Sequence, residues 1–147
     1  MDAALFELNP QIILHTKAEV LETQVIQVPG KKGLLSVVEV RKMTQGRIHS
    51  VPRFYYITNP GDTKDTRGGH YHPEKAEILF VQMGSAEFHL IDADGNEDRF
   101  LINNPNVAVF VPPNIWHEVT LGPRSLLSVL SPREYDAHES VTDLPTK

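Results

Sequence analysis

Cysteine is absent from the 147 residues. That absence excludes disulfides, zinc–thiolate centres and thiol nucleophiles together, and it suits a reducing compartment. Long apolar runs are also missing. The apolar stretches are only a few residues long, too short to cross a bilayer, and the opening Met1-Asp2-Ala3-Ala4 lacks the basic flank of a secretory leader. The expected location is cytoplasmic. Nor is there an excess of positive charge: 14 Lys and Arg face 19 Asp and Glu, for a net charge of −5. This balance argues against a nucleic-acid groove or a polybasic membrane face, while a local arginine cluster can still hold phosphate in an acidic protein. No repeat or low-complexity segment is readable. The length fits one domain with one core, expected over about 24–136, with 137–147 as a flexible tail.

What is present reads as strands. Short β-branched and aromatic runs at 24–28, 34–41, 48–58, 77–83, 86–91, 98–102, 107–111, 117–121 and 126–130 alternate with Gly, Pro, Asn and Asp breakers. Asp94-Gly95 between two alternating runs is a hairpin signal, because both residues tolerate positive φ. Residues 9–22 are mixed and hold either a short strand or a helical turn. This pattern, without a long amphipathic helix, predicts an all-β jelly-roll barrel. After Pro132 the polar tail is expected to turn over a barrel end and then fray.

The chemistry concentrates in Arg67-Gly68-Gly69-His70-Tyr71-His72-Pro73-Glu74-Lys75-Ala76-Glu77. Strand residues two apart share a face, so His70 and His72 can aim two imidazoles into one cavity. Glu77 has the wrong parity for an unbroken strand, but Pro73 supplies a break after which Glu77 can restart facing inward. Pro112-Pro113-Asn114-Ile115-Trp116-His117 forms a turn that delivers a third imidazole. Three imidazoles and a carboxylate are a plausible first shell for a divalent transition metal with open positions. Lys75 is an alternative ionic partner for Glu77. The other histidines, His15, His49, His89 and His138, have no ligand-spaced company.

A His-x-His pair alone would arise by chance roughly once in three such sequences; the added carboxylate, glycine and later Pro-x-Asn-x-x-His are more specific. Together these residues resemble the two motifs of the cupin superfamily, His-x-His-x4-Glu-x6-Gly and Pro-x-Gly-x2-His, with Asn114 in place of the second glycine. Asn also accepts left-handed turns. Within that superfamily the chain resembles the WxcM-like sugar 3,4-ketoisomerases. The matching residues are Lys32-Gly33-x-Leu35 with Glu39, Arg53-Phe54-Tyr55-Tyr56-Ile57, Arg67-Gly68-Gly69-His70-Tyr71-His72, Trp116-His117-Glu118 and Leu130-Ser131-x-x-x-Tyr135-Asp136.

The resemblance implies a cupin-type jelly roll, a homodimer whose N-terminal strands up to Arg41 are the exchanged element, and a role in deoxysugar and polysaccharide biosynthesis. It implies an isomerase that moves a carbonyl between carbons 3 and 4 of a thymidine-diphosphate 4-keto-6-deoxyhexose (dTDP-linked) without a required cofactor. Such a shift removes a proton at one carbon and returns it at the next through an enediolate. An imidazole titrating near neutrality can carry that proton. His72 is expected as the base, His70 as its partner and Tyr56 as a hydroxyl donor. Arg53 and Arg67 are candidates for the diphosphate, Lys32 stands where an arginine is usual, and Trp116 or Tyr55 could stack on the ligand. The retained set His70, His72, Glu77 and His117 also resembles the metal-binding cupin domain of some capsular-polysaccharide reductases, which implies zinc, iron, manganese or nickel. The same histidines thus read as an acid–base pair or as metal ligands. A metal-dependent epimerase-like or oxidative enzyme and a non-catalytic carbohydrate- or metabolite-binding cupin are the competing functions; a sensor would need an output segment such as a helix-turn-helix, and none is readable.

Overall fold

The computed structural model describes residues 12–146; the leader reading of residues 1–4, and residues 9–11 of the ambiguous segment, lie outside the described residues. The strands are β1 (Glu19–Glu22), β2 (Gln24–Gln27), β3 (Leu34–Val37), β4 (Arg53–Asn59), β5 (Asp65–His70), β6 (Glu77–Met83), β7 (Ala86–Ile91), β8 (Glu97–Ile102), β9 (Val107–Val111), β10 (Trp116–Leu121) and β11 (Ser125–Ser131), with one helical turn, α1 (Val40–Met43), before β4. They form an antiparallel five-stranded sheet in the order β1-β9-β6-β11-β4, a four-stranded sheet β5-β10-β7-β8, and a separate β2-β3 ribbon. This is the all-β, cupin-like jelly roll expected from the sequence.

The main core fills the space between the two larger sheets. Leu79, Val81, Val109 and Val129 from one sheet meet Phe88, Leu90, Val119 and Leu121 from the other, and Phe88 stacks on Phe100 at 5.3 Å. Each such side chain contributes roughly 1.5–3 kcal/mol when fully removed from water. β6 and β9 are apolar on both faces for a second reason. Ile78, Phe80, Ala108 and Phe110 point outward and are covered by Ile48, with Val40, Met43 and Val51 packed around them. The crossing segment 38–52 therefore folds over the sheet instead of joining it.

That crossing explains two differences from the sequence reading. The run at 34–41 stops as a strand at Val37 and turns helical at Val40. The run at 48–58 yields a buried Ile48 outside any strand, and β4 begins only after Pro52, whose missing N–H cannot serve a ladder. Gln45 and Gly46, both at positive φ, reverse the chain between them. β5 is a strand that composition concealed, because two glycines lower its strand propensity. Val141 pairs with Tyr71 through two reciprocal backbone bonds of 2.9 Å, so the chain returns to the barrel.

Candidate active site

At one end of the sandwich, β5 finishes at His70, β10 presents His117 and β6 begins at Glu77. His117 is the register partner of His70, but Glu118 pairs with Gly68, leaving Gly69 as the extra residue of a β-bulge. Gly68 and Gly69 both have positive φ, +88° and +76°, the left-handed region in which glycine alone is unstrained. The bulge turns β5 so that His70 enters the cavity beside His117. After the Tyr71–Val141 bridge, His72 follows on the same side.

The three imidazoles converge as expected. Ring centroids lie 4.8 Å apart for His70 and His72, 5.0 Å for His70 and His117, and 5.2 Å for His72 and His117. His72 and His117 are buried, and His70 is more open. Pro73 does break the strand, and Glu77 restarts facing inward with 2 % exposure. Its Oε1 stands 3.0 Å from Nε2 of His72 and 3.9 Å from Nε2 of His117.

Two further groups flank the Glu77 carboxylate. The Lys75 ammonium lies 3.3 Å from Oε2 and also reaches Glu139 Oε1 at 2.6 Å and Ser131 Oγ at 3.2 Å. The Tyr55 hydroxyl donates to Glu77 Oε2 at 3.5 Å. Burial by itself would raise the Glu77 pKa, but the His72 hydrogen bond and the charges of His72, Lys75 and His117 outweigh it and hold the group at about 2. Burial lowers the His117 pKa to about 4, against the opposing pull of its bond to the Ile115 carbonyl and of Glu77. Burial, then the charge of His72, lowers that of His70. Burial, then the Glu77 charge, pushes the Tyr55 hydroxyl up, so it remains a donor at neutral pH.

Hydrogen bonds fix two of the rings. His117 Nδ1 donates to the Ile115 carbonyl at 2.9 Å, leaving its Nε2 lone pair toward the cavity. His72 Nδ1 is 3.2 Å from the Glu139 carbonyl and 3.3 Å from Ser140 Oγ. With Glu77 ionised, the bond to His72 requires a proton on Nε2. Nδ1 then accepts from the Ser140 hydroxyl or, when it too carries a proton, donates to the Glu139 carbonyl. Both protonation states of His72 are thus hydrogen-bonded.

The set fits a divalent metal as well. His70, His72 and His117 offer ligand atoms within 4.8 Å of one another. A carbonyl on the far nitrogen of His117 and an ionised carboxylate at Glu77 suit such an ion.

Other expected residues fare differently. Tyr56 is 63 % exposed with its ring 6.1 Å from Phe54. Strand alternation sends it outward, and Tyr55 is the inward tyrosine. Trp116 neighbours His117 in β10 and so faces the opposite side of the sheet, against His89 at 5.3 Å. Lys32 is exposed in the connection between β2 and β3, outside both larger sheets. Arg67 lies on edge strand β5, bonded to Asp65 at 2.8 Å. Arg53 comes closest to the expected place. Its guanidinium lies 4.4 Å from the Tyr55 ring centre and 5.2 Å from that of Tyr135, and 3.9 Å from Glu139 Oε1. Glu139 and Ser140 carried no sequence signal, being 67 and 68 positions from His72; Lys75 was visible only as a neighbour of Glu77.

Known proteins share this architecture. Residues 17–146 match the FdtA family model, described as WxcM-like, C-terminal. The chain is 31 % identical over 105 residues to a TDP-4-oxo-6-deoxy-alpha-D-glucose-3,4-oxoisomerase of Aneurinibacillus thermoaerophilus, covering 67 % of this chain and 70 % of the relative. A crystal structure of a 3,4-ketoisomerase from Helicobacter canadensis superposes with a TM-score of 0.76 at 27 % identity, over 88 % of this chain and 92 % of the other. QdtA, a sugar 3,4-ketoisomerase from Thermoanaerobacterium thermosaccharolyticum in complex with TDP, gives 0.72 at 26 % identity, over 86 % and 88 %.

Proposed function

We propose that this chain, which belongs to the FdtA (WxcM-like, C-terminal) family, is a nucleotide-sugar 3,4-ketoisomerase acting on a TDP-4-keto-6-deoxyhexose. The observation that carries the reading is the convergence of His70, His72 and His117 with Glu77 inside the barrel end. The ketoisomerase relatives support the substrate class.

The groups suit the reaction. With Nε2 protonated toward Glu77, Nδ1 of His72 takes the proton from C3 of the 4-keto sugar in place of its Ser140 contact, and the C–H electron pair becomes the C3–C4 double bond of an enediolate as the carbonyl π pair moves to O4. Glu77 at 3.0 Å stabilises the imidazolium formed. His70 is half-open, and its lowered pKa keeps it neutral near pH 7, so one nitrogen can donate to O4 while the other accepts from O3. Tyr55 donates to Glu77 and helps hold that carboxylate beside the imidazolium. Collapse of O3 to a carbonyl returns the His72 proton to C4. Atoms balance without an external oxidant or reductant.

Arg53 is the assigned diphosphate contact, aided by Arg67 at the open edge. A divalent cation held by His70, His72, His117 and Glu77 would supply Lewis acidity to an enediolate; metal analysis of purified protein tests for it. The β2-β3 ribbon stands apart from both sheets, with Val25 and Leu35 exposed, while β4 is an unpaired edge with exposed Phe54 and Tyr56. These surfaces support a homodimer in which the ribbon of one copy covers the edge of the other, a state that sedimentation would contradict by finding a monomer. Among the described residues no helix is long and apolar enough to cross a membrane.

The direct test is incubation with TDP-4-keto-6-deoxyglucose. The ketone is expected to migrate to carbon 3. Tight binding of nucleotide sugars with no migration would instead support a binding module.

A further inference from the structure

We propose that Glu139 is a positioning residue for the catalytic imidazole, which makes the C-terminal segment around 136–141 part of the working site; this rests on the ketoisomerase reading above. Two contacts from this one residue reach the His72–Glu77 pair by separate routes. Its carbonyl faces His72 Nδ1 at 3.2 Å, and its carboxylate holds the Lys75 ammonium at 2.6 Å, which in turn lies 3.3 Å from Glu77.

The burial of Lys75 requires such a partner. Its side chain is only 2 % exposed, and an ammonium removed from water is tolerated only with close counter-charge and filled hydrogen bonds. Glu77 is already shared with His72, so Glu139 provides the second carboxylate and Ser131 the third contact. The other oxygen of Glu139, Oε2, is buried without a hydrogen-bond partner. A carboxylate held in that condition is placed by Lys75 at 2.6 Å, with Arg53 at 3.9 Å, and not by its own solvation.

The segment is fixed on both sides of the carbonyl that faces His72. The Glu139 amide donates to the Asp136 carbonyl at 3.2 Å, and Val141 exchanges two backbone bonds with Tyr71. The backbone carbonyl of His72 accepts from the Asn114 amide at 2.9 Å, tying the same residue to the turn that delivers His117. His72 is therefore oriented from two elements distant in sequence, the C-terminal segment and the turn at Asn114, besides Glu77, and proton transfer to carbon is sensitive to sub-ångström placement of the base.

The test compares wild type, Glu139→Gln and the charge-balanced pair Lys75→Met with Glu139→Gln, using steady-state kinetics, thermal melting and imidazole 15N NMR at one pH. Glu139→Gln is expected to lower kcat roughly ten- to a hundredfold, the usual effect of losing an orienting partner, with KM within about threefold, and to move the His72 nitrogen resonances without substrate. The double variant is expected to lose little more than Glu139→Gln alone, because the residues act through one chain of contacts; it also serves if Glu139→Gln alone melts. Unchanged kcat and unmoved His72 resonances in folded variants would overturn the proposal, as would a rise in KM alone. If wild type fails to turn over the sugar, the ketoisomerase reading falls, and the NMR shift alone decides whether Glu139 positions His72.

Discussion

A β-carbon on Gly68 would stand 2.7 Å from the carbonyl oxygen of His117. The two backbones touch there because the bulge at Gly69 brings β5 against β10, and it is this approach that sets His70 beside His117.

Gly68→Ala should therefore damage both stability and the site. The left-handed conformation at φ +88° alone costs a non-glycine residue about 1–3 kcal/mol, and the contact with the His117 carbonyl adds to it. Urea unfolding is expected to show a loss of at least that size. The folded fraction should have a kcat reduced several-fold, since His70 and His117 must separate. Wild-type stability in this variant would contradict the geometry of the bulge.

Adjacent tyrosines should behave differently. Tyr55→Phe removes the hydroxyl that meets Glu77 and is expected to lower kcat roughly tenfold or more, in line with loss of one preorganised donor. Tyr56→Phe removes a hydroxyl from a side chain 63 % exposed and should leave kcat within about twofold. Parallel kinetics on the two variants check this, and equal losses would count against the inward assignment of Tyr55.

Acid should destabilise the fold in two steps. His117 is lowered from 6.5 to about 4 and Glu77 from 4.5 to about 2 in the folded chain, so the unfolded chain binds more protons as pH falls. Stability is full above about pH 6.5, declines from 6.5 toward 4 as unfolded His117 protonates, and declines again from 4.5 toward 2 through Glu77. The total loss is on the order of a few kcal/mol. Chemical denaturation across pH 7 to 3 in chelator-treated protein measures it. Replacing His117 by Gln should shrink the upper step, to which His70 also contributes because its pKa is lowered too, and keep the lower one.

Much of this was legible in the sequence, and the failures have physical causes. Short β-branched and aromatic runs punctuated by Gly, Pro, Asn and Asp located β6, β7, β9 and β10, because those strands bury at least one full face. The same cue failed at 34–41 and 48–58, where Val40, Met43 and Ile48 are apolar because they cover the outer face of the sheet. The His70, His72, Glu77 and His117 cluster was readable because motif spacing and strand parity act locally around Pro73 and Asn114. Tyr56 is the donor expected from the sequence, but Tyr55 and Tyr56 face opposite sides of β4, and it is the pairing of β4 with β11 that turns Tyr55 inward. Glu139 and Ser140 were beyond reach, since their role depends on a chain reversal that pairs Val141 with Tyr71.

The central claim is that His72 moves a substrate proton between neighbouring carbons. Incubating TDP-4-keto-6-deoxyglucose in D2O with wild type and with His72→Asn, and following the sugar protons by NMR, tests it most directly. The account expects wild type to yield the 3-keto sugar, with deuterium at C4 to the extent that the proton on His72 exchanges with solvent before transfer, and the folded His72→Asn chain to yield neither product nor label. Full conversion by His72→Asn would contradict it.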